Sequence, residues 1–241
     1  MTRVLNLYAG LGGNRALWPA GVQVTAVESD PRIAAAYREL WPQDVVVVGD
    51  AHEFLLAHYR DGWDLIWASP PCQSHTRLMA IQEAKGLPRY PDMALWQEIV
   101  FLQAYCPAGT FWVVENVIPY YEPFIRPSVL LDRHLFWLNF PVSHKTFSGS
   151  GSGNRICVQR KPDGKGGYQT VRQLKSMSDS KFEAHLGIRL PDCISGWRLR
   201  RQVLRNCTHP LIGKYVYDSA FLTDDLYEGT LFDNELLEVT A

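Results

Sequence analysis

The sequence predicts an α/β protein built on a mainly parallel, doubly wound sheet. Three observations carry that prediction. Apolar runs about as long as buried strands recur through the first half of the chain. Amphipathic stretches of helical length lie between several of them. The residues directly after the runs are glycines, acids and prolines, as expected where loops gather at the carboxyl ends of parallel strands.

The runs, in order, are RVLNLYA, QVTAVES, DVVVVGD, DLIWASP and TFWVVENV. Each is about the length of a buried strand, and their alternation with helical stretches predicts a sheet covered by helices on both faces. PRIAAAYRELW, HEFLLAHY and DMALWQEIVFLQAY supply helices between them. HLFWLNF reads as a late strand of the same sheet. From Ser143 the texture changes. KTFSGSGSGN is a flexible Gly/Ser connection, and KPDGKGGYQTVRQ reads as loop-like, with weak periodicity. Helical periodicity returns in RLRRQVLRN and PLIGKYVYDSAFL. The expected organisation is a main domain over 1–142, a small recognition region over 143–204, and a return to the main domain with an acidic tail over 205–241.

A chain of 241 residues with 46% hydrophobic residues is long enough for one sizeable core. No apolar run approaches the roughly 18 residues of a membrane span, and the amino terminus has no signal-peptide layout. The reading predicts a soluble, cytoplasmic protein. Its five cysteines, Cys72, Cys106, Cys157, Cys193 and Cys207, show no CxxC or His/Cys ligand spacing, so neither a metal site nor a disulfide framework is expected. The formal net charge of −1 hides an asymmetry: residues 143–214 hold 14 Lys/Arg against 4 Asp/Glu, and residues 215–241 hold 7 acids and no base. A middle segment of net +10 fits a polyanionic partner.

The first run ends in Tyr8-Ala9 and leads into Gly10-Leu11-Gly12-Gly13-Asn14, where glycines permit close approach of a ligand to the backbone. Arg15 stands where the dinucleotide fingerprint G-x-G-x-x-G needs its third glycine. The second run ends Glu28-Ser29-Asp30, and an acid there can accept from both hydroxyls of a ribose; the third ends Gly49-Asp50, placed to meet an adenine amino group. Each acid alone also fits a helix N-cap, Asp30 before Pro31 above all. Three such loops in succession, without the pyrophosphate fingerprint, point to S-adenosyl-L-methionine rather than a dinucleotide. The fourth run delivers Cys72 behind two φ-restricted prolines, and the fifth delivers Glu115. A thiolate and a carboxyl on adjacent strand ends suit attack on a ring carbon with protonation of the neighbouring ring nitrogen.

In that order and spacing these residues resemble the DNA cytosine-5 methyltransferase family. The resemblance rests on Tyr8-Ala9-Gly10-x-Gly12-Gly13, Glu28, Asp50, Pro70-Pro71-Cys72-Gln73 and Glu115-Asn116-Val117, with a weaker match at Asn206 in RNCTHPLIGKYV. It implies a Rossmann-like class I methyltransferase fold with a small basic target-recognition region. It also implies covalent attack of Cys72 on C6 of a flipped-out cytosine in DNA, with Glu115 engaging N3. The cofactor contacts it implies are Tyr8, Ala9, Gly10, Gly12, Gly13, Glu28, Ser29, Asp50, Ala51, Pro70 and Asn206. Substrate contacts fall on Pro71, Gln73, Asn116, Arg155, Arg160 and Lys165. The expected partner is double-stranded DNA, engaged by a monomer with or without an accessory subunit, in a small phage-like or solitary member. The chain departs from the pattern at three places. Asn6 replaces the usual Asp, a change expected to weaken a cofactor contact. His75 and Thr76 follow Gln73 where an aromatic residue and Ser are usual. The catalytic arginine has no exact match: strict alignment puts His134 in its place, while a one-residue shift selects Arg133, the preferred candidate over Arg160. Three other readings share the same residues: methylation of tRNA, transfer of a modified methyl group with Asn14, Arg15 and His75 shaping the pocket, and a non-catalytic nucleic-acid-binding homologue.

Overall fold

The computed structural model describes residues 1–76, 90–147 and 178–221 in full, and 155–162 and 168–175 as backbone. Seven strands form one sheet: β1 (Arg3–Leu7), β2 (Gln23–Glu28), β3 (Val45–Val48), β4 (Leu65–Ala68), β5 (Phe111–Val117), β6 (Val129–Leu131) and β7 (His134–Leu138). Their order is β3-β2-β1-β4-β5-β7-β6. The first five are parallel, and β7 runs antiparallel to β5 and to β6. All six expected strands are present. β6 is an addition, too short and too close to β7 to read as a separate run.

Both faces of the sheet are buried along β1, β4 and β5, for the reason the continuous apolar runs imply. Edge strand β3 leaves Val45 and Val48 exposed, which corrects the expectation that it is covered on both faces. Leu5, Leu7, Ile66, Ala68, Trp112 and Val114 point to one face, where they meet α2 (Ala51–His58) and α3 (Ala94–Tyr105) through Leu55, Leu95, Trp96, Ile99 and Leu102. Val4, Leu65, Trp67 and Val113 point to the other, against Trp18 and α6 (Pro210–Phe221) through Ile212, Val216 and Tyr217. α1 (Pro31–Leu40) begins at Asp30, whose side chain accepts from the Arg32 amide and pairs with the Arg32 guanidinium at 2.6 Å.

The basic half contributes to the same core. α4 (Asp179–Leu186) and α5 (Trp197–Asn206) bury Phe182, Leu186, Val203 and Leu204 against Leu11, Ile33 and Ala36, so a third cluster joins them to the glycine loop and α1. The expected break at 204/205 therefore falls inside a helix. The reading of KPDGKGGYQTVRQ as loop-like is corrected: β8 (Arg155–Pro162) and β9 (Tyr168–Lys175) pair antiparallel in full register, so Arg155 and Arg160 lie on a strand. Strand residues such as Val158 and Val171 carry too little alternation to reveal this hairpin. Lys165 and most of the Gly/Ser connection lie outside the described residues. Among those residues no helix is long and apolar enough to cross a membrane.

The carboxyl-terminal helix closes against the amino-terminal loop at backbone distance. A Cβ added to Gly213 would lie 2.2 Å from the Asn14 carbonyl oxygen and 2.5 Å from its Cα. Trp18 also donates its indole N–H to the Gly213 carbonyl at 3.2 Å. Gly213→Ala is expected to destabilise the fold by about 2 kcal/mol or more through overpacking, measured as a lower midpoint in urea unfolding. Gly109→Ala, with open space around its Cβ but φ at +86°, is expected to cost less, on the order of 1 kcal/mol.

Candidate functional site

Outside the carboxyl ends of β1, β2, β3, β4 and β5 lies one cleft of about 640 Å³. It is bounded by the glycine loop at one end and by Cys72, Glu115 and His134 at the other. Parallel strands in register present all their following loops on one side, which is why residues spread from Tyr8 to Asn116 converge.

At the loop end, Tyr8, Gly10 and Gly12 adopt positive φ of 56°, 55° and 72°. The Glu28 carboxylate organises this turn, accepting from the Gly10 amide at 3.0 Å and the Asp30 amide at 2.9 Å. A Cβ built on Gly10 meets nothing within 4 Å, so the open cleft lies directly over its backbone. Gly13 has the opposite role: a Cβ there would lie 2.2 Å from the Thr208 carbonyl oxygen and 2.3 Å from Cys207 Sγ. Asp50 caps α2 through the Glu53 amide at 2.9 Å while lining the cleft, so the N-cap and ligand readings of this acid coexist. Ala9, Ser29, Ala51, Pro70 and Asn206 line it too, whereas Gly12 packs its backbone against Trp41.

The departures from the family pattern at this end fall behind the cleft. Asn6 is 1% exposed and exchanges side-chain hydrogen bonds with Asn14 at 2.8 and 3.4 Å; it does not line the cleft itself, whereas Asn14 does. Arg15 is buried in a two-pronged ion pair with Asp44 at 2.7 and 3.0 Å, so it shapes no pocket. His75 is fully buried and shares a 2.6 Å hydrogen bond with the Tyr121 hydroxyl; burial holds its pKa below the usual histidine value. Its carbonyl accepts from the Tyr120 amide, and Thr76 bridges to Pro119. His75 and Thr76 therefore clip the segment after Cys72 to the segment after β5.

At the other end, Glu115 is 6% exposed, and its oxygens are shared among three partners. Ser69 and Thr208 donate their hydroxyls to Oε2, each at 2.9 Å, and His134 Nε2 stands 3.5 Å from Oε1. His134 sits diagonal to Glu115 across β5 and β7, and its Nδ1 is buried with no partner. Burial holds its pKa below the usual value, so the ring is neutral near pH 7. Arg133 occupies the two-residue turn between β6 and β7, beside Asp132 at φ 54°. Its guanidinium donates to the Arg205 carbonyl at 3.3 Å, and it does not line the cleft as His134 does. Asn116 is buried and donates to the Pro70 carbonyl at 2.9 Å, tying the two chemistry-bearing loops together. Pro71, Gln73 and Asn116 line the cleft beside Cys72. Cys72 Sγ lies 3.9 Å from Asn206 Oδ1. Burial and the Glu115 carboxylate push the Cys72 thiol up to about 11, with Arg133 pulling against them.

Sequence reasoning missed Ser69, Thr208 and Glu98. Glu98 is fully buried on α3, accepts from the Tyr8 hydroxyl at 2.5 Å and contacts His52 Nδ1 at 3.1 Å. A glutamate inside the apolar run ALWQEIVFLQAY is the signal that could have marked it. Among the described residues no group of side chains could hold a metal ion, and Cys72, Cys106, Cys193 and Cys207 are free thiols.

The sheet order and its antiparallel β7 define a Rossmann-like methyltransferase fold. The chain is similar in structure to DNMT2 of Spodoptera frugiperda, with a TM-score of 0.59 at 13% identity over 92% of this chain and 100% of that one. It is also similar to the methyltransferase EhMeth of Entamoeba histolytica, with a TM-score of 0.51 at 12% identity over 94% and 99%. No curated relative matches by sequence. Residues 2–117 match the C-5 cytosine-specific DNA methylase family. The cofactor of this family, and of this chain, is S-adenosyl-L-methionine.

The electrostatics of the pair can be read through the thiol. Alkylation of Cys72, followed by mass spectrometry of its peptide, is expected to rise about tenfold per pH unit from pH 7 and level off near pH 11. Glu115→Gln removes the charge that raises the thiol pKa, so this variant is expected to alkylate faster at pH 8. Arg133→Leu is expected to alkylate more slowly.

Proposed function

We propose that the protein transfers a methyl group from S-adenosyl-L-methionine to C5 of a cytosine flipped out of double-stranded DNA. The observation that carries this reading is one cleft holding the glycine-loop end and, at the adjoining strand ends, Cys72 beside a Glu115 whose carboxylate is pinned from three sides. The open space over Gly10, the Glu28 carboxylate and Asp50 suit an adenosine-bearing ligand, with ribose hydroxyls on Glu28 and the base edge at Asp50. Bound there, the cofactor supplies an electrophilic methyl group.

This chain's residues do the rest. Carbon C5 of cytosine is a poor nucleophile until C6 is attacked. Cys72 gives its thiol proton to the Glu115 carboxylate as Sγ forms the bond to C6; the displaced C5–C6 electron pair is taken up towards N3, where Glu115 hands that proton on. Ser69 and Thr208 fix the carboxyl so that Oε1 is the oxygen left for the base. Neutral His134 flanks that oxygen and adds no cation against the thiol's developing charge or the base. The C5 proton is then lost to solvent, Cys72 leaves C6 with the electron pair, and the N3 proton returns through Glu115 to restore the thiol and free the methylated base. Withdrawing a base from the stack costs a few kcal/mol, which an enclosed pocket and backbone contacts must repay.

Nucleosides from duplex DNA and from tRNA, each incubated with the protein and labelled cofactor, are the test. The expected product is 5-methylcytosine in DNA, with turnover abolished by Cys72→Ala and lowered about 10²–10⁴-fold by Glu115→Gln. A duplex containing 5-fluorocytosine should trap a covalent adduct in the wild type. Label confined to tRNA would overturn the DNA assignment, and absence of any adduct or product on either substrate would favour a binding homologue.

A further inference from the structure

One helix connects the cleft to the open surface and bears a single sign of charge. α5 (WRLRRQVLRN) contains four arginines and no acid. Val203 and Leu204 are buried against the core, while Arg198, Arg201, Gln202 and Arg205 recur at helical spacing on the face turned away from it. At the carboxyl end of the helix Gln202, Arg205 and Asn206 line the cleft, and Asn206 reaches to within 3.9 Å of Cys72 Sγ. Arg205 Nε is buried without a partner, and burial together with the neighbouring Arg201 lowers the guanidinium's pKa. At the amino end Trp197 is 66% exposed, with the Arg198 guanidinium 5.3 Å from its ring centre. Arg200 is held by Asp179 and Glu183 of α4 at 3.6 and 3.4 Å, and Arg201 reaches Asp179 at 3.9 Å. Arg198 has no acidic partner among the described residues.

We propose that this stripe of α5 is a track for the nucleic-acid strand that carries the target base, resting on the reading of the cleft given above. Arg205, Arg201 and Arg198 hold successive phosphates leading away from Cys72, and Trp197 stacks on a base at the far end. The nine residues from Arg198 to Asn206 rise about 12 Å, roughly three nucleotide steps. Charge complementarity and continuity with the cleft argue for this occupant: a strand entering the cleft at Asn206 must leave past Arg205, and the helix supplies cations in that direction. A solvated basic face would have no reason to place a large exposed aromatic ring under an arginine at the point where the track ends. Stacking on an aromatic ring tolerates any base, and phosphate contacts carry no sequence, so the track positions the strand and leaves recognition to other segments.

The test uses the full chain and a fluorescein-labelled mixed-sequence duplex of about 30 base pairs, alongside one of its strands, with binding followed by anisotropy between 50 and 200 mM salt. Arg198→Ala is expected to reduce the slope of log affinity against log salt by about 1, and Arg198→Lys to keep it. Trp197→Ala is expected to weaken single-strand binding about tenfold. Affinity for S-adenosylhomocysteine should be unchanged in all three variants, showing an intact fold. Wild-type slope and affinity in both alanine variants would overturn the track while leaving the cytosine reading standing. Failure of the wild type to bind either probe would overturn both.

Discussion

A carboxylate buried near the end of β5, the parallel strand that borders antiparallel β7, sets the constraint that the rest of the site obeys. Glu115 is almost out of contact with water, and a group of that kind is tolerated only when fixed donors replace its hydration. Its donors are the hydroxyls of Ser69, directly after β4, and Thr208, after α5, while His134 of β7 stands 3.5 Å away. The site therefore closes only when the carboxyl-terminal segment has returned to the sheet. The same return brings the Thr208 carbonyl onto Gly13 and the Gly213 backbone onto Asn14, so the glycine loop and the carboxylate are positioned by one packing event.

Around that carboxylate the charges are arranged to oppose one another. Glu115 disfavours ionisation of Cys72, and Arg133 favours it. His134 is kept neutral by burial. In the proposed mechanism this opposition is useful: a thiol kept protonated at rest reacts little with stray electrophiles, and passing its proton to Glu115 removes the charge that restrains it. The proposed roles of His134 and Arg133 also separate on geometry. The histidine stands against the reacting carboxyl, while the arginine acts from the rim through its field.

The sheet was legible because buried parallel strands are continuous apolar runs, and five of them lie in the first half of the chain. The loops that line the cleft were legible for a related reason: register fixes where each run ends, so Glu28, Asp50, Cys72 and Glu115 could be placed on one side from sequence order alone. The β8–β9 hairpin was not, because its strands lack the alternation a one-sided sheet imposes. Neither was the packing of α4 and α5 on the glycine loop, since the basic composition of that region pointed outward while Val203, Leu204 and Phe182 point inward.

By itself, the sequence determined the architecture and the chemical pair, because strand periodicity, PPCQ and ENV are local patterns whose meaning survives without neighbours. Only the tertiary structure decided which polar residues serve the cleft. Asn6, Arg15 and His75 turned out to pair behind it, while Ser69, Thr208 and His134 came to face Glu115. The physical reason is that a polar side chain takes its role from the partner it reaches. Here those partners lie 8 to 93 residues away in the chain, a distance that no local pattern records.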